Sequence, residues 1–427
     1  MSDCDLPSGW VRALAREVCE VVGGATPDTK NPAFWGGELP WITPADLSDH
    51  RDTYIATGKR NLTVAGAASC SAQTMPAGTV LFSSRAPIGH VAIAAVPVCT
   101  NQGFKSLVPP EGVLAKYLYW QLRWATPQIR EMGSGTTFTE VSGKVMGTVP
   151  ILLCPTAEQE RIVAELERRL SHVDAAAGYL TRIAARLGAL RASTIHAAMS
   201  AGMGTEPIGS VSAGLVEKAA PRAGLPAIPE HWVWVRLGDL LAEPLRNGRS
   251  ALTAPDGEGV RTFTITAVTK RDFGLHHTKW AIGDPVAVRD LFAKDGDMFV
   301  QRSNTPELVG SAALYRGPDD RAIFPDLLIR VRLVADVLPE WADLVFRWDH
   351  TRRALRAVAS GLSGSMPKID QPKLANVLVP VPPRREQQLL VQEAERRLSL
   401  IDASERLVRA NLRKAEQVRR SVLFAAF

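Results

Sequence analysis

The chain repeats itself at a fixed interval. Residues 158–173 read EQERIVAELERRLSHV and residues 386–401 read EQQLLVQEAERRLSLI, a displacement of 228 positions. Glu158 and Gln159 match Glu386 and Gln387, and Arg168, Arg169, Leu170, Ser171, Asp174 and Ala175 match Arg396, Arg397, Leu398, Ser399, Asp402 and Ala403. The same offset aligns 190–199 with 418–427, so two stretches of 42 residues (158–199 and 386–427) keep register without a gap. Each follows a less repetitive, largely non-helical block. A chain written as block, helix, block, helix holds two similar units, and each can do the same kind of job on a different target. At 427 residues there is room for two or three cores of ordinary size.

No proline breaks either run. A helix of 42 residues reaches about 63 Å, far beyond the average globular helix. In the first run Ile162, Leu166, Val173, Leu180, Ile183, Leu187 and Leu190 fall at coiled-coil spacing; in the second, Leu398, Ile401, Val408, Leu412 and Val422 do so. Arg169 and Glu405 interrupt the two stripes. A helix this long with one apolar stripe needs a long partner. Packing on its own block is one solution; pairing of the two helices with each other is the more economical. The glycine-containing segment 201–226 separates the first helix from the second block and argues for an antiparallel pair, with the blocks at opposite ends of a rod.

Both blocks open alike: Leu6-Pro7-Ser8-Gly9-Trp10-Val11 corresponds to Ile228-Pro229-Glu230-His231-Trp232-Val233. Short helices are expected around Leu14–Val18 and Leu237–Leu241, and again at Tyr117–Arg123 and Trp341–Val345. Strand signals in the first block are Thr79–Phe82, His90–Ala94 and Ser106–Pro109. In the second they are Arg261–Thr266, Asp297–Val300, Ala313–Tyr315 and Leu327–Val334, divided by Gly, Pro and Asp turns. The expected fold class is α+β, with two mixed blocks joined by two long antiparallel coiled-coil helices and an internal pseudo-twofold repeat. The boundaries read as block 1–155, helix 156–200, linker 201–226, block 227–383 and helix 384–427.

The net charge of +6 lies mainly in the last stretch, where 384–427 holds 10 basic and 6 acidic residues; the two blocks are nearly balanced. Nucleic acid is permitted as a partner but not demanded, since a binder needs local basic patches rather than a basic total. Five cysteines, widely spaced and without a CxxC pair, support neither a zinc knuckle nor a disulfide framework. No apolar run is long enough for a membrane span. The opening MSDCDLPSGW lacks the basic start and apolar core of a secretory signal, so a cytoplasmic location is expected.

Several segments in order resemble the specificity subunit of type I restriction–modification systems, the HsdS family. They are 37–47 (GELPWITPADL), 76–93 (PAGTVLFSSRAPIGHVAI), Thr100-Asn-Gln-Gly-Phe-Lys105, Gly135-Thr-Thr and 149–159 (VPILLCPTAEQ). Weaker counterparts follow in 293–302 (AKDGDMFVQR) and Gly364-Ser-Met, and 377–387 (VLVPVPPRREQ) is the sharper copy of the family's IPxPPxxEQ pattern. The resemblance covers essentially the whole chain. It implies that each block is a target-recognition domain reading one half of a split, asymmetric duplex DNA site, and that the paired helices set the spacing and dock methyltransferase subunits. It also implies two such subunits, with S-adenosylmethionine bound by them, and ATP and magnesium in a restriction subunit where one is present. Two related domains with pseudo-twofold symmetry match the local symmetry of duplex DNA while reading different bases.

Candidate DNA contacts in the first block are Lys59, Arg60, Ser83, Ser84, Arg85, Asn101 and Gln102. Ser83-Ser84-Arg85 lies between two expected strands, where hydroxyls and a guanidinium suit phosphate or guanine-edge contact; the serines favour phosphate. Asn101 and Gln102 offer amides for an adenine edge, though capping a turn is the better reading of this pair. In the second block the candidates are Lys270, Arg271, His276, His277, Lys279, Arg302, Ser303 and Asn304. The paired histidines are not spaced as helical metal ligands, and no acidic partner is placed beside them by sequence.

No Walker-type loop appears. Asn31-Pro32-Ala33-Phe34 is similar to the Asn-Pro-Pro-Phe/Tyr loop of adenine methyltransferases but lacks the second proline, and only thirty residues precede it, so it reads as a turn. No carboxylate and lysine cluster marks a nuclease. The expectation is a non-catalytic DNA-specificity subunit; the alternative is a non-enzymatic coiled-coil scaffold with two protein-binding domains.

Overall fold

Each block closes on itself by pairing its first strand with its last. In the first, Val11–Leu14 runs antiparallel to Pro150–Leu153, with Val11 opposite Leu153. In the second, Val233–Arg236 runs antiparallel to Leu378–Val381, with Val233 opposite Val381. The computed structural model describes residues 6–85, 87–134, 139–200, 209–221, 224–250, 252–361 and 366–427. Cys4, Gly135-Thr-Thr, 201–208 and 222–223 of the linker, and Gly364-Ser365 lie outside the described residues.

Between those strands both blocks carry the same four-strand order. In the first block it is Glu20–Gly23, Lys105–Val108, Val80–Phe82, Val91–Ala94, extended by Tyr54–Ile55 at the edge. In the second it is Arg246–Asn247, Leu328–Val331, Met298–Gln301, Ala312–Leu314. The central strands are apolar runs buried on both faces: Val80, Leu81 and Phe82 are fully inaccessible, as are Met298, Phe299 and Val300. One face of each sheet is covered by a helix, Ala115–Glu131 in the first block and Pro339–Arg347 in the second, whose buried Tyr117 and Trp341 point into the core. The periphery differs. The first block adds a sheet of Arg60–Leu62, Trp35–Ile42 and Cys99–Thr100; the second adds the hairpin Val260–Phe263 with Thr278–Ala281.

The expected strands fall close to the observed ones, with two informative differences. Arg261–Thr266 is strand only to Phe263; Ile265–Lys270 is helical, which turns Ala267 and Val268 into the core beside Phe263. Gly36 and Gly37, which read as a turn, lie within the strand Trp35–Ile42. A Cβ on Gly37 would sit 2.3 Å from the Leu62 carbonyl, so this strand approaches its neighbour at a distance only glycine permits.

The long helices run Thr156–Ser200 and Arg384–Phe424. Their shared glutamine explains part of the repeat. Buried Gln159 accepts from Leu114 N (2.9 Å) and donates to the carbonyls of Gly112 (3.0 Å) and Cys154 (2.9 Å). Gln387 does the same with Leu338 N (2.8 Å), Asp336 O (3.0 Å) and Pro382 O (2.9 Å). One amide thus ties the start of each helix to the loop before the block's own helix, satisfying three backbone groups that burial would otherwise leave unpaired.

Two compact units result, and each draws on both helices. One joins residues up to Thr181 with Arg409–Phe427; the other is Arg182–Val408. Within the first, Leu166 and Val422 share a core, Asp174 pairs with Arg419, and Phe427 packs edge-on against Tyr117 at 5.6 Å. Within the second, Arg191 pairs with Asp402 and, at 3.2 Å, with Glu405, while Ile195, Ala198 and Met199 join the core with Leu398 and Ile401. Residue numbers rise on one helix as they fall on the other in both units, so the pairing is antiparallel.

The seam departs from the expected stripe at two points. Leu190 is 53 % exposed. The seam position belongs to Arg191, whose stem lies along the partner helix while its guanidinium meets Asp402 and Glu405, so Glu405 is a partner rather than an interruption. Arg169 is not in the seam either; Leu170 is, 3 % exposed, and Arg169 turns outward to Glu165. Leu166, Leu398, Ile401 and Val408 are buried, and Ile162, Val173, Leu180, Ile183, Leu187, Leu412 and Val422 are half-buried. Arg191 and Arg419 stand one repeat apart, as do Asp174 and Asp402, so the same ion pair fixes register in each unit. No described helix is long and apolar enough to cross a membrane.

Candidate nucleic-acid interface

In the first block the strand Val80–Phe82 delivers Ser83-Ser84-Arg85 to the end of the sheet. The two serines do not reach the surface. Ser83 Oγ donates to Pro87 O (2.7 Å) and accepts from His90 N (2.8 Å), closing the loop that follows it. Ser84 is fully buried; its N–H bonds Gly103 O (2.7 Å) and its carbonyl accepts from Val141 N (2.9 Å). The expectation that these hydroxyls face phosphate is therefore corrected: the sheet continues through them. Arg85 is about one-third exposed and lies 3.7 Å from Glu140, which also takes Lys105 Nζ at 3.4 Å. Two cations share one carboxylate, leaving a net positive charge.

The Asn101-Gln102-Gly103 turn adjoins that cluster. Asn101 Oδ1 accepts from Gly103 N (2.9 Å), so this amide shapes the turn. Gln102 is exposed, accepts from the Thr26 hydroxyl, and lends its carbonyl to Lys105 (3.4 Å). The helix Pro44–Ser48 bridges to the remaining pair: Pro44 abuts Gly103, and Asp46 accepts from Lys59 N (3.0 Å). Lys59 is exposed, and the Arg60 guanidinium lies 3.3 Å over the Trp35 ring, a cation–π contact that spreads an arginine flat on the surface. Asn31-Pro32-Ala33-Phe34 forms a single tight turn, Asn31 Oδ1 accepting from Ala33 N at 3.1 Å.

The second block builds the same frame with other side chains. Arg85 and Ser134 both bridge to Glu140; Ser303 and Ser360 both bridge to Lys368. Arg302 N donates to Leu327 O (2.8 Å) and its carbonyl accepts from Ile369 N (2.8 Å), repeating the bonds of Ser84. Ser303 thus stands where Arg85 does and is 6 % exposed, and exposed Lys368 stands where Glu140 does. Ser303 and Asn304 are structural: Asn304 donates to Gln301 Oε1 (2.8 Å) and caps Thr305 N (2.8 Å). The half-buried Arg302 is nearby. Lys105 and Lys368 are not among the residues the sequence singles out; the signal for Lys368 is its position one repeat beyond Glu140.

The remaining candidates sit on the hairpin side of the block. Lys270 and Lys279 are exposed. Arg271 is an internal clamp: it takes a left-handed backbone (φ 54°), donates to Ala312 O (2.8 Å) and pairs with buried Asp343. Its side chain is 35 % exposed and shares the Asp343 carboxylate with Arg347 at 3.6 Å. The His276 and His277 rings meet at 4.3 Å, tilted by 49°, beside Asp272, an acidic partner that lies four residues before His276. Hydrogen bonding to Gly274 N first, then His276, holds the Asp272 carboxyl below its ordinary range.

Residues 7–177 match the family model of the type I restriction modification DNA specificity domain. The specificity subunit of the EcoKI type I restriction enzyme of Escherichia coli (strain K12) is 24% identical over 443 residues, covering 100% of this chain and 90% of that protein. Over its first block by family model, and over its whole length at lower identity, the chain is similar to type I restriction–modification specificity subunits. The MjaIX specificity subunit of Methanocaldococcus jannaschii is 40% identical over 163 residues, and this match spans 38% of each protein. A solved chain described with the complex assembly and conformational transition of the type I R-M system superposes with TM-score 0.71 at 20% identity, over 99% of this chain and 98% of that one. At that identity the likeness speaks for the fold alone.

Proposed function

We propose that this specificity subunit directs a type I restriction–modification complex to a split, asymmetric duplex DNA site, each block reading one half. The observation that carries this is the equivalent pair of positions Arg85/Glu140 and Ser303/Lys368. One hydrogen-bonded frame holds different side chains in the two blocks, as two readers of different base sequences require. The recognition domains take residues 1–155 and 227–383. Lys59, Arg60, Arg85, Gln102 and Lys105 contact one half-site, and Lys270, Lys279, Arg302 and Lys368 the other.

The helices dock two methyltransferase subunits. Tyr179 and Val418 are 58 % and 48 % exposed in one unit, and their repeat mates Leu407 and Leu190 are 66 % and 53 % exposed in the other. Large apolar side chains left in water at repeat-related positions suit two copies of one partner. The chain itself is non-catalytic and acts in the cytoplasm; S-adenosylmethionine belongs to the methyltransferase subunits, and ATP with magnesium to a restriction subunit where present.

DNA footprinting of the chain with its methyltransferase partner tests the reading. Two protected segments separated by an unread gap are expected. One continuous protected segment would reject the two-reader arrangement, and methyl transfer by the purified chain alone would reject its non-catalytic role.

A further inference from the structure

His276 and His277 acquire a carboxylate from the fold. The helix Ile265–Lys270 stops at the left-handed Arg271, and the reversed chain brings Asp272 back against both imidazoles. Asp272 spends Oδ1 on Gly274 N (2.9 Å), leaving Oδ2 at 2.9 Å from His276 Nε2 and 3.9 Å from His277 Nε2. The three donor atoms all lie within 4.8 Å of one another. We propose that Asp272, His276 and His277 bind a divalent transition-metal ion of the zinc class, a site that stands independently of the DNA reading above.

The donor set fits that ion. Two imidazole nitrogens and one carboxylate oxygen are ligands that zinc, nickel and copper share, and a tetrahedral zinc holds its donors roughly 3.3 Å apart. The observed separations of 2.9 and 3.9 Å straddle that spacing. The side chains are also braced where a ligand set must be. The His277 carbonyl accepts from Thr264 N (2.9 Å), and Thr278 Oγ1 bonds Leu275 O (2.7 Å), fixing the turn against the paired strands. Gly274 is part of the design: a Cβ there would lie 2.5 Å from His276 Cε1, so only glycine lets that ring fold over the turn. The His276 side chain is 67 % exposed, which leaves the outer coordination positions to water. A bound cation would lock the turn between Lys270 and Lys279 and add charge beside them.

Calorimetric titration of the full chain with zinc alone, near neutral pH, is the test. One zinc per chain is expected at this site. His276→Asn and His277→Asn should each weaken it at least about tenfold, since even outer-shell losses cost 10- to 100-fold. His50→Asn, on a half-buried histidine of the other block, should change nothing. Should His277→Asn impair folding, the exposed His276→Asn decides alone. Binding of equal strength in His276→Asn, or no binding by the unaltered chain, overturns the site.

Discussion

At one point of the common frame the first block sets Arg85 beside Glu140, and the second sets Ser303 beside Lys368. The backbone hydrogen bonds around the two places agree to about 0.1 Å, yet the charges do not. By contrast the helices repeat an ion-pair cluster intact: Glu165 with Arg168 and Arg169 recurs as Glu393 with Arg396 and Arg397. Identity is kept where the two halves meet the same neighbours, and lost where they face outward at block ends. That division accords with the function proposed above.

The comparison can be broken most forcefully in the helices. Leu170 and Leu398, one repeat apart and 3 % and 4 % exposed, should each cost about 2–5 kcal/mol when truncated to alanine. Urea unfolding should give similar losses for both; a large loss for one alone would mean the two units are not built alike. Gln159→Ala and Gln387→Ala come next, at about 1–3 kcal/mol each, because each leaves a buried N–H and two carbonyls without their amide. Calorimetry on the pair shows whether the clamps are equivalent.

The blocks sharpen the contrast from the other side. Arg85→Ala should weaken binding to every duplex and lower the salt slope by about 0.9, one phosphate's worth. Lys368→Ala should do likewise for the opposite half-site, whereas Ser303→Ala should be silent in DNA binding. Filter binding across a salt series distinguishes these outcomes; loss confined to cognate DNA would make Arg85 a base reader. The smallest effect lies at low pH. Hydrogen bonds from Arg168 and Arg169 hold Glu165 down at about 2, and Arg396 and Arg397 do the same to Glu393, both against an ordinary 4.5. A depressed carboxylate stabilises above 4.5 and loses that contribution as pH falls towards 2. The double variant Glu165→Gln/Glu393→Gln should therefore show a shallower loss of melting temperature in that window, equally shared between the single variants.

Much of this architecture could be read from the chain, because a fixed offset and an apolar stripe free of proline are properties of order along the sequence. The strands were visible for the same reason: Val80–Phe82 and Met298–Gln301 are short apolar runs between turn residues. The surface was less legible. Arginine reads as a solvated residue, yet the Arg191 stem fills a seam position because Asp402, 211 residues away, meets its head. Arg271 was placed among DNA contacts, but its partner Asp343 lies on another element. Ser83 and Ser84 read as a loop because they are polar; pairing with residues near Gly103 and Val141 draws them into the sheet. In each case the deciding atom is distant in sequence, where no local pattern can reveal it.

The pairing of each block's first strand with its last has a consequence for descent. Val11 faces Leu153 and Val233 faces Val381, so the two ends of each block emerge side by side. Genetic crossover at both ends would replace the intervening residues while returning the chain to the same spot and heading. The helices downstream would keep their place provided the new block also supplies the loop that Gln159 or Gln387 clamps. A lineage carrying this design can acquire a new half-specificity in one event, keeping the other half and its docking partners as they were.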